Sequence, residues 1–260
     1  MALAVREVAV RTVRPVWLLV AAAIGVQIAY PLMPDGLRSE VTVASVVVFF
    51  VAALADVTRL HGRIGALTVI AVAGGGGLLA EAVGVATGWP FGAYSYTGTL
   101  GPELVGVPIV VPMAWAMMAW PALVVARTLA VRTPAVVAVG AAALTAWDVF
   151  LDPQMVDAGH WRWFDPQPAL PLVPGIPLTN FAGWLLVSAL VIALLHRTLP
   201  DTGRPSAPAA ALYLWVYFSS ALGHLAFFGL PGSAVVGGVL MGAVAVPFAV
   251  TLWRRRKPQP

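Results

Sequence analysis

The sequence predicts an all-α integral membrane protein, a single polytopic domain over residues 1–260 with about eight transmembrane helices in one bundle and both termini cytoplasmic. Hydrophobic residues make up 60% of the chain and charged residues only 10%, and the mean hydropathy is +0.89. So few charges cannot cover a water-facing domain of this size, so the bilayer is the solvent. Every backbone group within hydrocarbon needs a partner inside the protein, which leaves helices or a closed barrel, and the long apolar runs select helices. The remaining observation is where the charges fall.

Apolar windows of roughly the 17 to 25 residues that a span needs lie at 15–32, 41–56, 64–86, 107–127, 134–151, 178–196, 208–229 and 233–253. The stretch from Met1 to Arg14 is too charged, and too poorly matched to a cleavage site, to read as a signal peptide, so the first window stays as a helix. With a cytoplasmic N-terminus, the inner segments hold Arg6, Arg11, Arg14, Arg59, Arg63, Arg127, Arg132, Arg197, Arg204, Arg254, Arg255, Arg256 and Lys257. Only Arg38 and Arg162 fall outside, so 13 of 15 basic residues share one side. Asp35, Glu40, Glu81, Glu103, Asp148, Asp152, Asp157 and Asp165 fall outside or near the outer face. The net charge of +4 is therefore topology, not a nucleic-acid footprint, and the closing Arg254 to Lys257 run reads as a stop-transfer anchor against membrane lipid. The expected location is the cell membrane, as a multi-pass protein.

Two outer loops, 87–106 and 153–177, are longer than the inner turns and rich in aromatics, Gly and Pro. The first contains Trp89-Pro90-Phe91-Gly92-Ala93-Tyr94-Ser95-Tyr96, and the second Trp161, Trp163 and Phe164. Each ends in a Gly-aliphatic-Pro step, Gly106-Val107-Pro108 and Gly175-Ile176-Pro177, and each follows a helix with an acid near its outer end, Glu81 or Asp148. This repetition hints at a duplication. Aromatic outer loops also suit a plain interfacial belt.

An ionisable side chain at the centre of a bilayer costs about 2.5 to 3.5 kcal/mol, so several at one depth need a reason. Glu81, Asp148, Asp152, Asn180 and His224, from four helices, share the outer half. Gly77, Glu81, Gly84 and Gly88 recur at helical spacing, giving a smooth stripe for a flat apolar ligand or for close helix packing. Asp148 and Asp152 are one turn apart, a pair expected to share a proton and act as a general acid, unless Asp152 only caps its helix before Pro153. His224 is read either as a packing residue or as part of the site.

Other chemistries find no home in the sequence. There is no cysteine, which excludes disulfides and thiolate metal sites. His61, His160, His196 and His224 divide between the two membrane faces, so no di-iron cage is expected, and no metal site is assigned. No dinucleotide or phosphate-binding glycine loop is present. A magnesium–diphosphate reading of Asp148 and Asp152 lacks a second motif and basic partners on the outer face.

Four ordered motifs carry a family resemblance. They are Glu81-x-x-Gly84-x-x-Thr87-Gly88-x-Pro90-Phe91-Gly92-x-Tyr94-x-Tyr96; Gly106-Val107-Pro108 with Trp115; Asp148-x-x-x-Asp152-Pro153 with Trp161-x-Trp163; and Gly175-Ile176-Pro177-x-x-Asn180-Phe181-x-Gly183-Trp184. Over residues 64–196 the chain resembles the membrane carotenoid hydratase family, which includes carotenoid 1',2'-hydratases and the hydratase of bisanhydrobacterioruberin. The resemblance implies cofactor-independent addition of water to the terminal double bond of an acyclic carotenoid, by protonation to a tertiary cation and capture of that cation by water. On this chemistry Asp148 or Glu81 is the candidate acid and Asp152 its proton partner, while Asn180 and His224 hold the water. Gly84, Gly88, Phe91, Tyr94, Tyr96, Trp115, Trp147 and Trp184 form the substrate-binding walls, their aromatic faces attracting the cation. The expected partner is a lipid-soluble carotenoid or other isoprenoid that enters sideways from the membrane. A proton-initiated cyclase would begin the same way, although the Pro-x-Glu-Glu pattern of small membrane lycopene cyclases is absent. A proton-coupled transporter would spread its acids through the membrane depth, whereas these crowd toward one face.

Overall fold

The computed structural model describes the backbone of residues 2–256 and the side chains of residues 14–255 apart from Asp35. The side chains of Arg6, Arg11 and Arg256 and the whole of Lys257, all counted above as cytoplasmic, lie outside what is described. The helices are α1 Ala2–Ala29, α2 Arg38–Val69, α3 Gly76–Thr87, α4 Val110–Leu129, α5 Thr133–Asp157, α6 Leu178–Thr198, α7 Ala207–Ala226 and α8 Pro231–Arg256. A π-helical turn, Ile70–Gly75, joins α2 to α3. The fold is the all-α membrane bundle that the hydropathy predicts.

Seven helical stretches among the described residues are long and apolar enough to cross a bilayer, and one of them, Arg38–Thr87, is 50 residues long. A straight helix of that length would run about 75 Å. This one is broken at Gly62, whose φ of 68° and ψ of −173° are open only to glycine. Thr42 and Glu81, near its two ends, line the same cavity, while Asp56 and His61 lie against Trp120 further along α4. The chain therefore doubles back at Gly62, and the windows 41–56 and 64–86 become two antiparallel rods.

Helix α4 is central. Of its membrane window 72% is buried, against 22% for α1 and 28% for α8 at the periphery. Small residues let its neighbours approach: a side chain at Gly77 would collide with the Trp115 ring, and one at Gly140 with Ile192. Below the site, Asp56 ties three elements together. It is fully buried, pairs with Arg59 at 2.7 Å, and accepts from Trp120 Nε1 (2.9 Å) and from Ser206 at the start of α7.

Helix α5 runs through Pro153 to Asp157, so Asp152 is an interior helix residue, 3% exposed, and not a cap before Pro153. The loops 87–106 and 153–177 hold short strands: β1 Tyr94–Tyr96, β2 Glu103–Leu104, β3 Val107–Pro108, β4 Trp161–Trp163, β5 Ala169–Leu170 and β6 Val173–Pro177. Within the first loop β2 pairs with β3, and within the second β5 pairs with β6. Between the loops, β1 pairs antiparallel with β4, with Tyr94 opposite Trp163, Ser95 opposite Arg162 and Tyr96 opposite Trp161. The two loops thus close together as one lid, each with the same order of strand, hairpin and Gly-aliphatic-Pro step.

Candidate active site

The lid brings its aromatic side chains down onto the acids of the helices. Glu81, on α3 and 5% exposed, accepts from three donors: Tyr94 Oη (2.5 Å) and Tyr96 Oη (2.9 Å) on Oε2, and Trp115 Nε1 (3.1 Å) on Oε1. Burial and the neighbouring Glu81 carboxyl push the phenols of Tyr94 and Tyr96 well above the ordinary tyrosine range, so both stay neutral O–H donors. Nearby, Asn180 Nδ2 on α6 bridges the two aspartates of α5, donating to Asp148 Oδ2 (3.0 Å) and Asp152 Oδ2 (2.5 Å). Trp161 Nε1, from the lid, donates to Asp152 Oδ1 at 3.1 Å. Asp148 Oδ1 is buried and accepts from no N–H or hydroxyl donor.

These groups border a cavity of about 350 Å³, within the range of sites that enclose a small molecule. Glu81, Asp152 and Asn180 face it, and Asp148 stands behind Asp152 in the wall. Trp115 and Trp184 stack face to face with ring centroids 3.9 Å apart and planes 11° apart, and Trp147 meets Trp184 edge-on at 6.0 Å. Phe91, Tyr94 and Tyr96 continue the aromatic wall. A small polar edge set in an aromatic box suits an apolar ligand that acquires positive charge during reaction.

Several candidates take other places. Gly84 does not reach the cavity, because the rings of Phe91 and Tyr94 sit directly on it and leave no room for a side chain. Gly88 ends α3 in the left-handed conformation, at φ 77°. At Gly77 and Gly84 the glycine stripe seats aromatic rings, and at Gly88 the backbone of Gly92 and Ala93. His224 is fully buried, with Nδ1 on Ser233 Oγ (2.7 Å) and its ring between Phe150 and Phe228, and it is not part of the cavity wall. Among the described residues no group of three metal-ligating side chains is placed to hold an ion.

Trp161 and Trp163, part of a family motif but not among the sequence-based site residues, are 8% and 9% exposed and line the cavity, whereas Trp89 and Phe164, each 63% exposed, are the ones free to meet the interface. The signal for them lay in the repeat. Tyr94 follows Glu81 by thirteen residues, and Trp161 follows Asp148 by the same interval. Trp115 and Trp184 each stand seven residues after the Pro of a Gly-aliphatic-Pro step, and they stack on one another where the halves meet.

Fold and site together define a polytopic membrane protein with an acid-lined aromatic cavity under a lid of two loops. A family model described as "Carotenoid biosynthesis protein" matches residues 40–206, and the chain belongs to that family. Bisanhydrobacterioruberin hydratase of Haloarcula japonica is 34% identical over 119 residues, covering 44% of this chain and 39% of that relative. The match thus spans about two fifths of the relative's length. No solved structure matches the chain.

Proposed function

We propose that the protein is a hydro-lyase of the cell membrane that adds water, without a cofactor, to the terminal double bond of an acyclic carotenoid end group. The observation that carries this reading is that the hydrogen-bonded Asp152 carboxyl and the Trp115–Trp184 stack line one cavity. The name of the Haloarcula japonica relative supports the same reaction type.

The Asp148–Asp152 pair holds one proton. Asp152, its cavity-facing member, gives that proton to the less substituted alkene carbon, and the π electrons form the new C–H bond. The tertiary cation left behind lies against Trp115, Trp147 and Trp184, whose faces stabilise it. The Glu81 carboxyl, held by three donors, adds a fixed dipole-rich edge on the same cavity. Water oriented by Asn180 forms the C–O bond and returns a proton to the Asp152 carboxylate, so the acid is regenerated and the net change is one water added.

Expression in a bacterium that accumulates lycopene tests the reading. The expected result is a pigment heavier by one water per reacted end. An isomeric pigment would establish cyclisation instead, and unchanged pigment across several acyclic carotenoids would overturn both.

We also infer eight crossings with cytoplasmic ends, supported by the reversal at Gly62 and by the basic residues of the inner turns. The chain lacks cysteine, so single thiols report topology without background. Val131→Cys, at a position 97% exposed between α4 and α5, should be shielded from an impermeant thiol reagent in intact cells, and Leu104→Cys, in the lid at 53% exposure, should react. The reverse pattern would invert the topology.

A further inference from the structure

We infer that the unreacted length of the substrate leaves the site through an opening between α1 and α7, so that one end of a linear polyene is bound at a time. The inference rests on the hydration reading for the identity of the chain, and on separate geometry for its path.

Two contacts bridge α1 and its following turn to α7 and the segment after it. Trp215 Nε1 donates to Gln27 Oε1 at 2.7 Å, and the ring of Tyr30 meets Phe228 edge-on at 5.7 Å. Between these contacts the helices do not seal. Ile28 on α1 and Phe218 and Leu222 on α7 line the cavity that contains Glu81 and Asp152, and they are also 52%, 57% and 45% exposed. A side chain that lines a cavity and also faces outward stands on its rim. Leu32 and Phe227, just beyond the ends of the two helices, also line the cavity and are 67% and 52% exposed, and Phe218 lies near the middle of Ala207–Ala226, so the rim runs from the helix ends down to the depth of lipid tails.

The occupant follows from the lining. Ile28, Phe218 and Leu222 make the rim mainly apolar, its polar groups being Gln27, whose oxygen is taken by Trp215, and the hydroxyls of Ser219 and Ser220, whereas the carboxyls of Glu81 and Asp152 and the amide of Asn180 lie in the site itself. A cavity of about 350 Å³ encloses an end group and little more of an extended polyene. The remainder of such a chain matches the hydrocarbon outside the rim and needs no water-facing exit. The same opening serves for entry of the substrate and release of the product.

The absence of native cysteine makes a rim probe specific. Ser219→Cys is labelled with a nitroxide in detergent and returned to lipid nanodiscs, with Val239→Cys, on the lipid face of α8 at 67% exposure, as the comparison. Adding lycopene should immobilise the label at 219 and leave that at 239 unchanged, and the label at 219 should lower conversion several-fold. Ile28→Cys, on the opposite rim, repeats the measurement if the first variant does not fold. An unchanged spectrum at both rim positions, or full conversion by the labelled rim variants, would overturn the proposal. Immobilisation needs no turnover. Immobilisation without hydrated product would support the opening and count against hydration, whereas hydrated product without immobilisation would do the reverse.

Discussion

Asp152→Asn should lower formation of the hydrated product by roughly 10²- to 10⁴-fold, the usual contribution of a positioned general acid. The amide keeps one oxygen, which can accept from Asn180 or from Trp161 but not from both, and it cannot deliver a proton, so the main loss should appear as rate, with a smaller cost in stability from the donor left unpaired. Asp148→Asn should cost less, because Asp148 stands behind Asp152 and does not itself line the cavity. Pigment analysis by mass in cells, with protein level and thermal unfolding in detergent measured alongside, separates loss of chemistry from loss of fold. Full activity in Asp152→Asn would remove Asp152 as the acid.

The second large effect concerns Glu81. Glu81→Ala should destabilise the protein by about 3 kcal/mol or more, since it leaves Tyr94 Oη, Tyr96 Oη and Trp115 Nε1 without their acceptor, at about 1–3 kcal/mol for each buried donor. Their raised phenol pKa values mean that Tyr94 and Tyr96 cannot escape by ionising. The lid strand β1 should loosen first, because Glu81 is what its two tyrosines hold. Thermal unfolding of the purified protein checks the stability, and Glu81→Gln, which keeps one acceptor oxygen, should recover part of it. An Ala variant as stable as the parent would mean that the lid is held by the β1–β4 pairing alone.

The Asp56 cluster makes a useful contrast with the site. Asp56 also receives a tryptophan N–H, from Trp120, but its other partners are Arg59 and Ser206, and it lines no part of the cavity. A buried acid closed off by a cation and a helix start serves packing. The same kind of side chain bordered by an open aromatic volume is available for chemistry.

Glu81, Asp148, Asp152 and Asn180 were readable one at a time, because burying a charge or an amide in an apolar helix is costly enough to mark each position. The rods were readable for a similar reason, since backbone satisfaction in lipid ties span length to hydropathy. Local pattern also places the Gly-aliphatic-Pro steps and the loop aromatics. It does not say which groups meet. The bridge from Asn180 to both aspartates, the Trp115–Trp184 stack and the pairing of β1 with β4 join residues far apart in the chain, and hydropathy carries no information on such pairings. For the same reason His224, close to the acids in depth, turns to Ser233, and Gly84, on the stripe of Glu81, lies beneath Phe91 and Tyr94. Depth in the membrane is set by the free energy of transfer, residue by residue. Rotation about each helix axis, and therefore the composition of the cavity, is set by how side chains from several helices pack together.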